Sequence, residues 1–190
     1  MRKTKKYFGG IFIGLLVIIC ICFLFIMNNT GFNKRLYPIP YYDIVYKYST
    51  EYNVPIEIVY AIMRTESSFD HMAVSPANAK GLMQLTDDTL DWITRYHLRI
   101  DGELDIFDPE TNIMVGTYYL KYAYERYGNW DTAYASYNAG ISRVDSWLKD
   151  SRYSGDGITL YYIPFKETRE YVVKINNAID QYKYLYFNES

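Results

Sequence analysis

The sequence predicts an all-α domain outside the cell, tethered by one N-terminal transmembrane helix. Three observations predict it. A run of 20 residues from Phe8 to Met27 carries no charge and follows Arg2, Lys3, Lys5 and Lys6. The later apolar patterns repeat every three or four residues, the period of a helix with one buried face. No alternating apolar pattern long enough for a sheet, no internal repeat and no low-complexity tract interrupts them.

At ~1.5 Å rise per residue the uncharged run matches a ~30 Å hydrocarbon core. It ends Phe25-Ile26-Met27-Asn28-Asn29, without the small residues of a cleavage site, so residues 8–27 read as an uncleaved anchor. Cys20 and Cys22 each follow an isoleucine, whereas a lipidation signal takes a small residue there. Four cations precede the run and only Lys34 and Arg35 follow it closely. That bias places residues 1–7 in the cytoplasm and everything after Met27 outside. Residues 28–40, with Pro38 and Pro40, form a stem, and residues 41–187 suit one domain with its own core.

Helix signals follow in order. Tyr41 to Tyr52 gives the first amphipathic stretch, and Pro55 with Glu57 starts the second. The third runs from about Asp87 to His97. Asp108-Pro109-Glu110 opens the strongest one, whose inward positions are Ile113, Gly116, Leu120, Ala123 and Tyr127, with Gly128 as the stop. Shorter helices are expected at Trp130 to Tyr137 and Ser142 to Leu148, on either side of Asn138-Ala139-Gly140. The last, residues 166–187, carries a stripe of Tyr171, Ile175, Ile179, Tyr182 and Tyr186.

Composition excludes several chemistries. Both cysteines lie in the anchor, so the exported part has no thiol nucleophile, disulfide or Cys-ligated metal. His71 and His97 are the only histidines and lie too far apart for one helix face. Metal motifs, a P-loop, a GxGxxG turn and a GxSxG elbow are all missing, so neither a metal nor a cofactor is expected. Without the four N-terminal cations, 16 Lys and Arg face 22 acids, a net charge of about −6 that disfavours nucleic acid as partner. Tyrosine is heavily used, 23 in all, and rings with an apolar face and a hydroxyl suit sugar binding.

Glu66 stands out by position. Val59, Ile62 and Met63 precede it by seven, four and three residues, so its carboxyl shares their apolar face. Desolvation there disfavours the charged form and makes the group a proton donor near neutral pH, as glycoside cleavage requires. Spacing alone favours an ordinary surface glutamate near a helix end, so it does not by itself assign the role.

Four motifs in order resemble the soluble lytic transglycosylase (SLT) family, which has a goose-type lysozyme-like fold. They are Glu66-Ser67-Ser68-Phe69, Gly81-Leu82-Met83-Gln84, Ala135-Ser136-Tyr137-Asn138-Ala139-Gly140 and Glu167-Thr168-Arg169-Glu170-Tyr171-Val172. Between them, Asp108-Pro109 through Asn112-Ile113 to Gly116-Thr117-Tyr118-Tyr119-Leu120 is also similar. The resemblance covers about residues 41–187. It implies that Glu66 is the catalytic acid and base, held in place with the help of Ser67. It implies further that Met83 and Gln84 line the glycan groove, that the Tyr137 hydroxyl orients Glu66 with Asn138 beside it, and that Glu167 and Tyr171 serve the same groove. The reaction implied is cleavage of the β-1,4 bond between N-acetylmuramic acid and N-acetylglucosamine in peptidoglycan, leaving 1,6-anhydro ends. A water-using muramidase and an inactive peptidoglycan-binding scaffold are the competing readings. Two departures are visible: Asn78 stands where the family often has Gly, and Asp87 where it often has Pro. Asn tolerates a left-handed turn, and an acid suits a helix start.

Overall fold

The computed structural model describes residues 2–27 and 30–187. It divides into two compact units, residues 1–38 and 39–190. In the first, α1 (Arg2–Met27) is followed by α2 (Thr30–Leu36), so the expected stem is partly helical. Phe12 and Leu15 to Phe25 are exposed all round α1. The side chains of residues 8–11, 13, 26 and 27 lie outside the description, as do Asn28 and Asn29. Among the described residues no helix is long and apolar enough to cross a membrane, so the expected span at 8–27 is not part of what the fold establishes.

The second unit is helical throughout, with no strand among the described residues and only isolated antiparallel bridges such as Lys80 to Leu85. Its helices are α3 (Tyr42–Tyr52), α4 (Ile56–Ser67), α5 (Asp87–Trp92), α6 (Pro109–Tyr127), α7 (Trp130–Ala139), α8 (Ile141–Leu148) and α9 (Lys166–Tyr182). α5 runs into a π-helical turn, Ile93–Leu98, and α9 into another, Lys183–Phe187. The signals read from sequence account for most boundaries. The Asp108 carboxylate accepts from the Thr111 amide at 2.8 Å and Pro109 takes the first position of α6, while Gly128 ends it at φ 62°. Pro55 sits one position earlier than expected, as the N-cap of α4. Asp87 opens α5 behind Thr86, whose hydroxyl caps Thr89, and Asn78 takes the left-handed turn at φ 61°.

α4 is the centre. Ile58 to Met63 are six consecutive buried residues, so this helix is enclosed on all sides and not on one stripe. α9 packs along it, α3 lies beside it, and α7 bridges α9 to α6. The α9 stripe of Tyr171, Ile175, Ile179 and Tyr182 is buried as its spacing predicts. This packing brings the C-terminal end of α4 against α9 and against the turn at residues 80–85.

Candidate active site

Glu66 lies in the last turn of α4, beyond Val59, Ile62 and Met63, all 0 % exposed. Its own surface is partly open, yet burial dominates its chemistry and raises the carboxyl from 4.5 to about 7. A hydrogen bond opposes that rise: the Tyr171 hydroxyl donates to Glu66 Oε1 at 2.6 Å. Burial first, and then the Glu66 charge, push the Tyr171 phenol well above its usual range, so it remains a donor.

Tyr171, rather than Tyr137, makes the hydrogen bond to Glu66. The Tyr137 hydroxyl, predicted to orient Glu66, donates instead to the Met83 carbonyl at 2.8 Å. The reason is tertiary: α9 lies along α4 and delivers Tyr171 to the carboxyl, while the end of α7 faces the 80–85 turn. Tyr137 still feels the Glu66 charge, after burial the next cause that raises its pKa. Asn138 Oδ1 accepts from the Thr168 hydroxyl at 2.8 Å and ties the end of α7 to the first turn of α9.

Ser67 acts on the backbone. Its hydroxyl shares its proton between the carbonyls of Leu82 at 2.7 Å and Met63 at 3.1 Å, and accepts from the Phe69 amide at 3.1 Å. It thereby pins the end of α4 to the 80–85 turn and supports the left-handed backbone at Ser68 and Phe69, φ 51° and 69°. Met83 does not line an open groove: it is 0 % exposed and packs where a Cβ on Gly116 would stand. Its contribution is its carbonyl, the acceptor for Tyr137. Gln84, at φ 50°, commits its amide nitrogen to the carbonyls of Gly81 at 2.9 Å and Ala73 at 3.2 Å. Glu167 is exposed in the first turn of α9, one turn before Tyr171, and no hydrogen bond or ion pair links it to Glu66 among the described residues.

Asn112 was quoted in the motifs without a role, yet it organises the site. It is 0 % exposed; its Oδ1 accepts from the Met83 amide at 2.7 Å, and its Nδ2 donates to the carbonyls of Ile106 at 2.8 Å and Lys80 at 3.1 Å. A Cβ on Gly81, φ 76°, would collide with that amide, so only glycine fits. The available signal was its spacing, four residues before Gly116 on the inward face of α6.

A buried, protonatable carboxyl held by a phenol, beside a turn clamped from two helices, is suited to general acid chemistry. The sequence pattern of the transglycosylase SLT domain matches residues 43–158, more than half of the chain. The chain belongs to this family. The soluble lytic murein transglycosylase of Escherichia coli strain K12 is 38 % identical over 159 residues, 81 % of this chain and 24 % of that protein. The membrane-bound lytic murein transglycosylase C of Serratia proteamaculans is 32 % identical over 193 residues, 90 % of this chain and 53 % of that protein. Among solved structures, the 70 kDa soluble lytic transglycosylase of Escherichia coli superposes with a TM-score of 0.70 at 33 % identity, over 80 % of this chain and 25 % of that one. A complex of the 70 kDa soluble lytic transglycosylase with bulgecin A superposes at 0.73 and 32 % identity, over 84 % of this chain and 26 % of that one. The chain thus spans about a quarter of the soluble relatives' length and has their lysozyme-like SLT fold. The SLT-domain match ends before α9, so Tyr171, which holds Glu66, comes from outside the matched segment.

Proposed function

We propose that this SLT-domain protein is a peptidoglycan lytic transglycosylase that cleaves the β-1,4 bond between N-acetylmuramic acid and N-acetylglucosamine. The observation that carries the proposal is the Glu66 carboxyl, raised to about 7 by burial and held by Tyr171. Protonated Glu66 gives its proton to the leaving oxygen, and the substrate's acetamido group stabilises the cation that forms. The carboxylate so produced then takes the proton of the muramyl C6 hydroxyl as that oxygen bonds C1. No water enters, and a 1,6-anhydro end results.

A hydrolytic muramidase calls for a second carboxylate, as nucleophile at about 5 Å or as base at about 6.5 to 9.5 Å from the acid. The first two acids after Glu66 in sequence have other partners. Asp70 accepts from the Met72 amide at 2.9 Å, and Asp87 pairs with Lys80 at 2.7 Å. Burial and Tyr171 account for the Glu66 shift, with no carboxylate among its causes. These facts favour the substrate's own groups as reactants. Turnover rather than mere binding is favoured by the same carboxyl, since a binding module gains nothing from desolvating an acid.

The uncharged run from Phe8 to Met27 and its preceding cations support a single-pass anchor in the cell membrane, with the SLT domain on the extracytoplasmic side. The relatives include a protein named as membrane-bound. Peptidoglycan strands are the partner in this reading, and neither metal nor cofactor takes part.

The test is the product. Purified cell wall digested with the full chain in detergent is expected to yield muropeptides one water lighter than hydrolysed ones and resistant to borohydride. Predominantly reducible muramic acid ends would replace the transglycosylase with a muramidase, and no release at all would leave a binding scaffold.

A further inference from the structure

A cleft of about 500 Å³ opens where α7 meets α8, lined by Ala139, Gly140, Ile141, Ser142, Arg143 and Ser146. Small residues make the space, and of these six only Arg143 is charged. Its guanidinium lies over the exposed Phe165 ring, 5.0 Å from the centroid, and Phe165 is steadied edge-on by Trp147 at 5.2 Å. Nη1 donates to the Ala139 carbonyl at 3.4 Å, while Nε and Nη2 have no hydrogen-bond partner and no acid pairs with Arg143 among the described residues. Arg126 and Arg152, by contrast, are each paired with an aspartate, Asp145 and Asp150. The cleft adjoins the Glu66 site on two sides. Ala139 follows Asn138, Phe165 is the N-cap of α9, and the bond from Thr168 to Asn138 at 2.8 Å fastens these two segments together. One turn beyond Thr168, Tyr171 holds Glu66, so Phe165 lies ~9 Å from Tyr171 along the axis of α9.

A planar cation laid on an aromatic ring, with its Nε and Nη2 edge free, is preorganised for a carboxylate taken by two parallel hydrogen bonds. Peptidoglycan supplies such a group beside every muramyl bond: the carboxylates of the short peptide carried on the muramyl lactyl group. Two residues of extended peptide span ~7 Å, a reach of the same order as the step from Tyr171 to Phe165. We propose that this cleft is the subsite for a peptide-stem carboxylate of the glycan, bound by Arg143 Nε and Nη2 with the hydroxyls of Ser142 and Ser146 at its rim. This rests on the glycan-cleaving reading and goes beyond it by making stem-bearing strands the substrate. In a domain that is acidic overall, one unpaired cation fixes where the stem lies and does not draw anions in general.

The test compares two ligands on one protein. Calorimetry on the full chain in detergent, with Glu66→Gln as the non-cleaving parent, measures binding of a synthetic tetrasaccharide of alternating N-acetylglucosamine and N-acetylmuramic acid that bears dipeptide stems. The second ligand is the same molecule with every stem carboxylate converted to the amide. The parent is expected to bind the carboxylate form about 3- to 10-fold more tightly, and that preference should shrink in added salt. Glu66→Gln/Arg143→Gln should bind the two forms alike. So should Glu66→Gln/Ser146→Asp, in which an acid one turn along α8 occupies the guanidinium. Because the ratio is taken within each variant, partial unfolding weakens both ligands equally and leaves it unchanged. Equal binding of the two forms by the parent, or a preference that survives Arg143→Gln, would overturn the proposal while leaving the glycan reading intact. Failure of the parent to bind either tetrasaccharide would overturn the glycan reading and this proposal together.

Discussion

In the proposed mechanism Glu66 acts through its proton. With the folded value at about 7 against the ordinary 4.5, the folded protein keeps a proton that the unfolded chain has already released between those pH values. The stability this group contributes is therefore full below 4.5, declines as pH rises through 7, and levels off above, a span of ~3 kcal/mol. Glu66→Gln has no such slope, so its Tm relative to the parent should climb over that window in thermal melts at a series of pH values. The same substitution removes the acid, and turnover of cell wall should fall roughly 100- to 10,000-fold. Near-normal turnover would move the acid elsewhere, with Glu167 the first residue to examine. Tyr171→Phe removes the hydrogen bond that holds the carboxyl down. The high-pH limb of activity, expected near 7 in the parent, should then move to higher pH while kcat falls. An unmoved limb would show that the phenol does not act on the carboxyl.

At the scale of elements, the turn at residues 80–85 is held by α4 through Ser67 and by α6 through Asn112, and it holds α7 through Tyr137. Each link is a side chain bonded to a backbone group, so the turn keeps its shape without belonging to a sheet. Asn112→Ala leaves the Met83 amide and the Ile106 carbonyl unpaired in the interior. It should cost at least about 2 kcal/mol, read in denaturant melts, and lower kcat because the Met83 carbonyl no longer fixes Tyr137. Asn112→Asp keeps the acceptor for Met83 but loses the amide donors, and should fall between the two. Stability of Asn112→Ala within 0.5 kcal/mol of the parent would contradict this account, that being roughly the scatter of surface substitutions.

Over the whole chain, in the proposed reading, the uncharged run at 8–27 serves placement and the SLT domain serves chemistry. If residues 8–27 anchor the protein, protease added to intact protoplasts should remove the SLT domain and leave a short membrane-embedded fragment. Mature protein beginning near Asn28 and free in the medium would mean that the run is a cleaved signal. In the same reading, the acidic balance that remains without the four N-terminal cations fits work at a surface where substrate is held by hydrogen bonds and packing rather than by charge.

Sequence by itself determined the helices, because caps and apolar periods act within a few residues of one another. Asp108-Pro109 and Gly128 bounded α6, the Tyr171, Ile175, Ile179 and Tyr182 stripe marked the buried face of α9, and Glu66 was placed on the apolar face of α4. The motifs also named Glu66, Ser67, Met83, Tyr137 and Tyr171, which the fold joins by hydrogen bonds in one region. What they could not assign was which side chain touches which. That Tyr171 and not Tyr137 bonds Glu66, that Met83 is buried while its carbonyl does the work, and that Asn112 clamps the turn were decided by how α6, α7 and α9 pack around α4. The physical reason is range: a cap or a stripe is set by neighbours three or four residues away, whereas the Tyr171 to Glu66 bond closes over 105 residues and exists only once the whole core is packed.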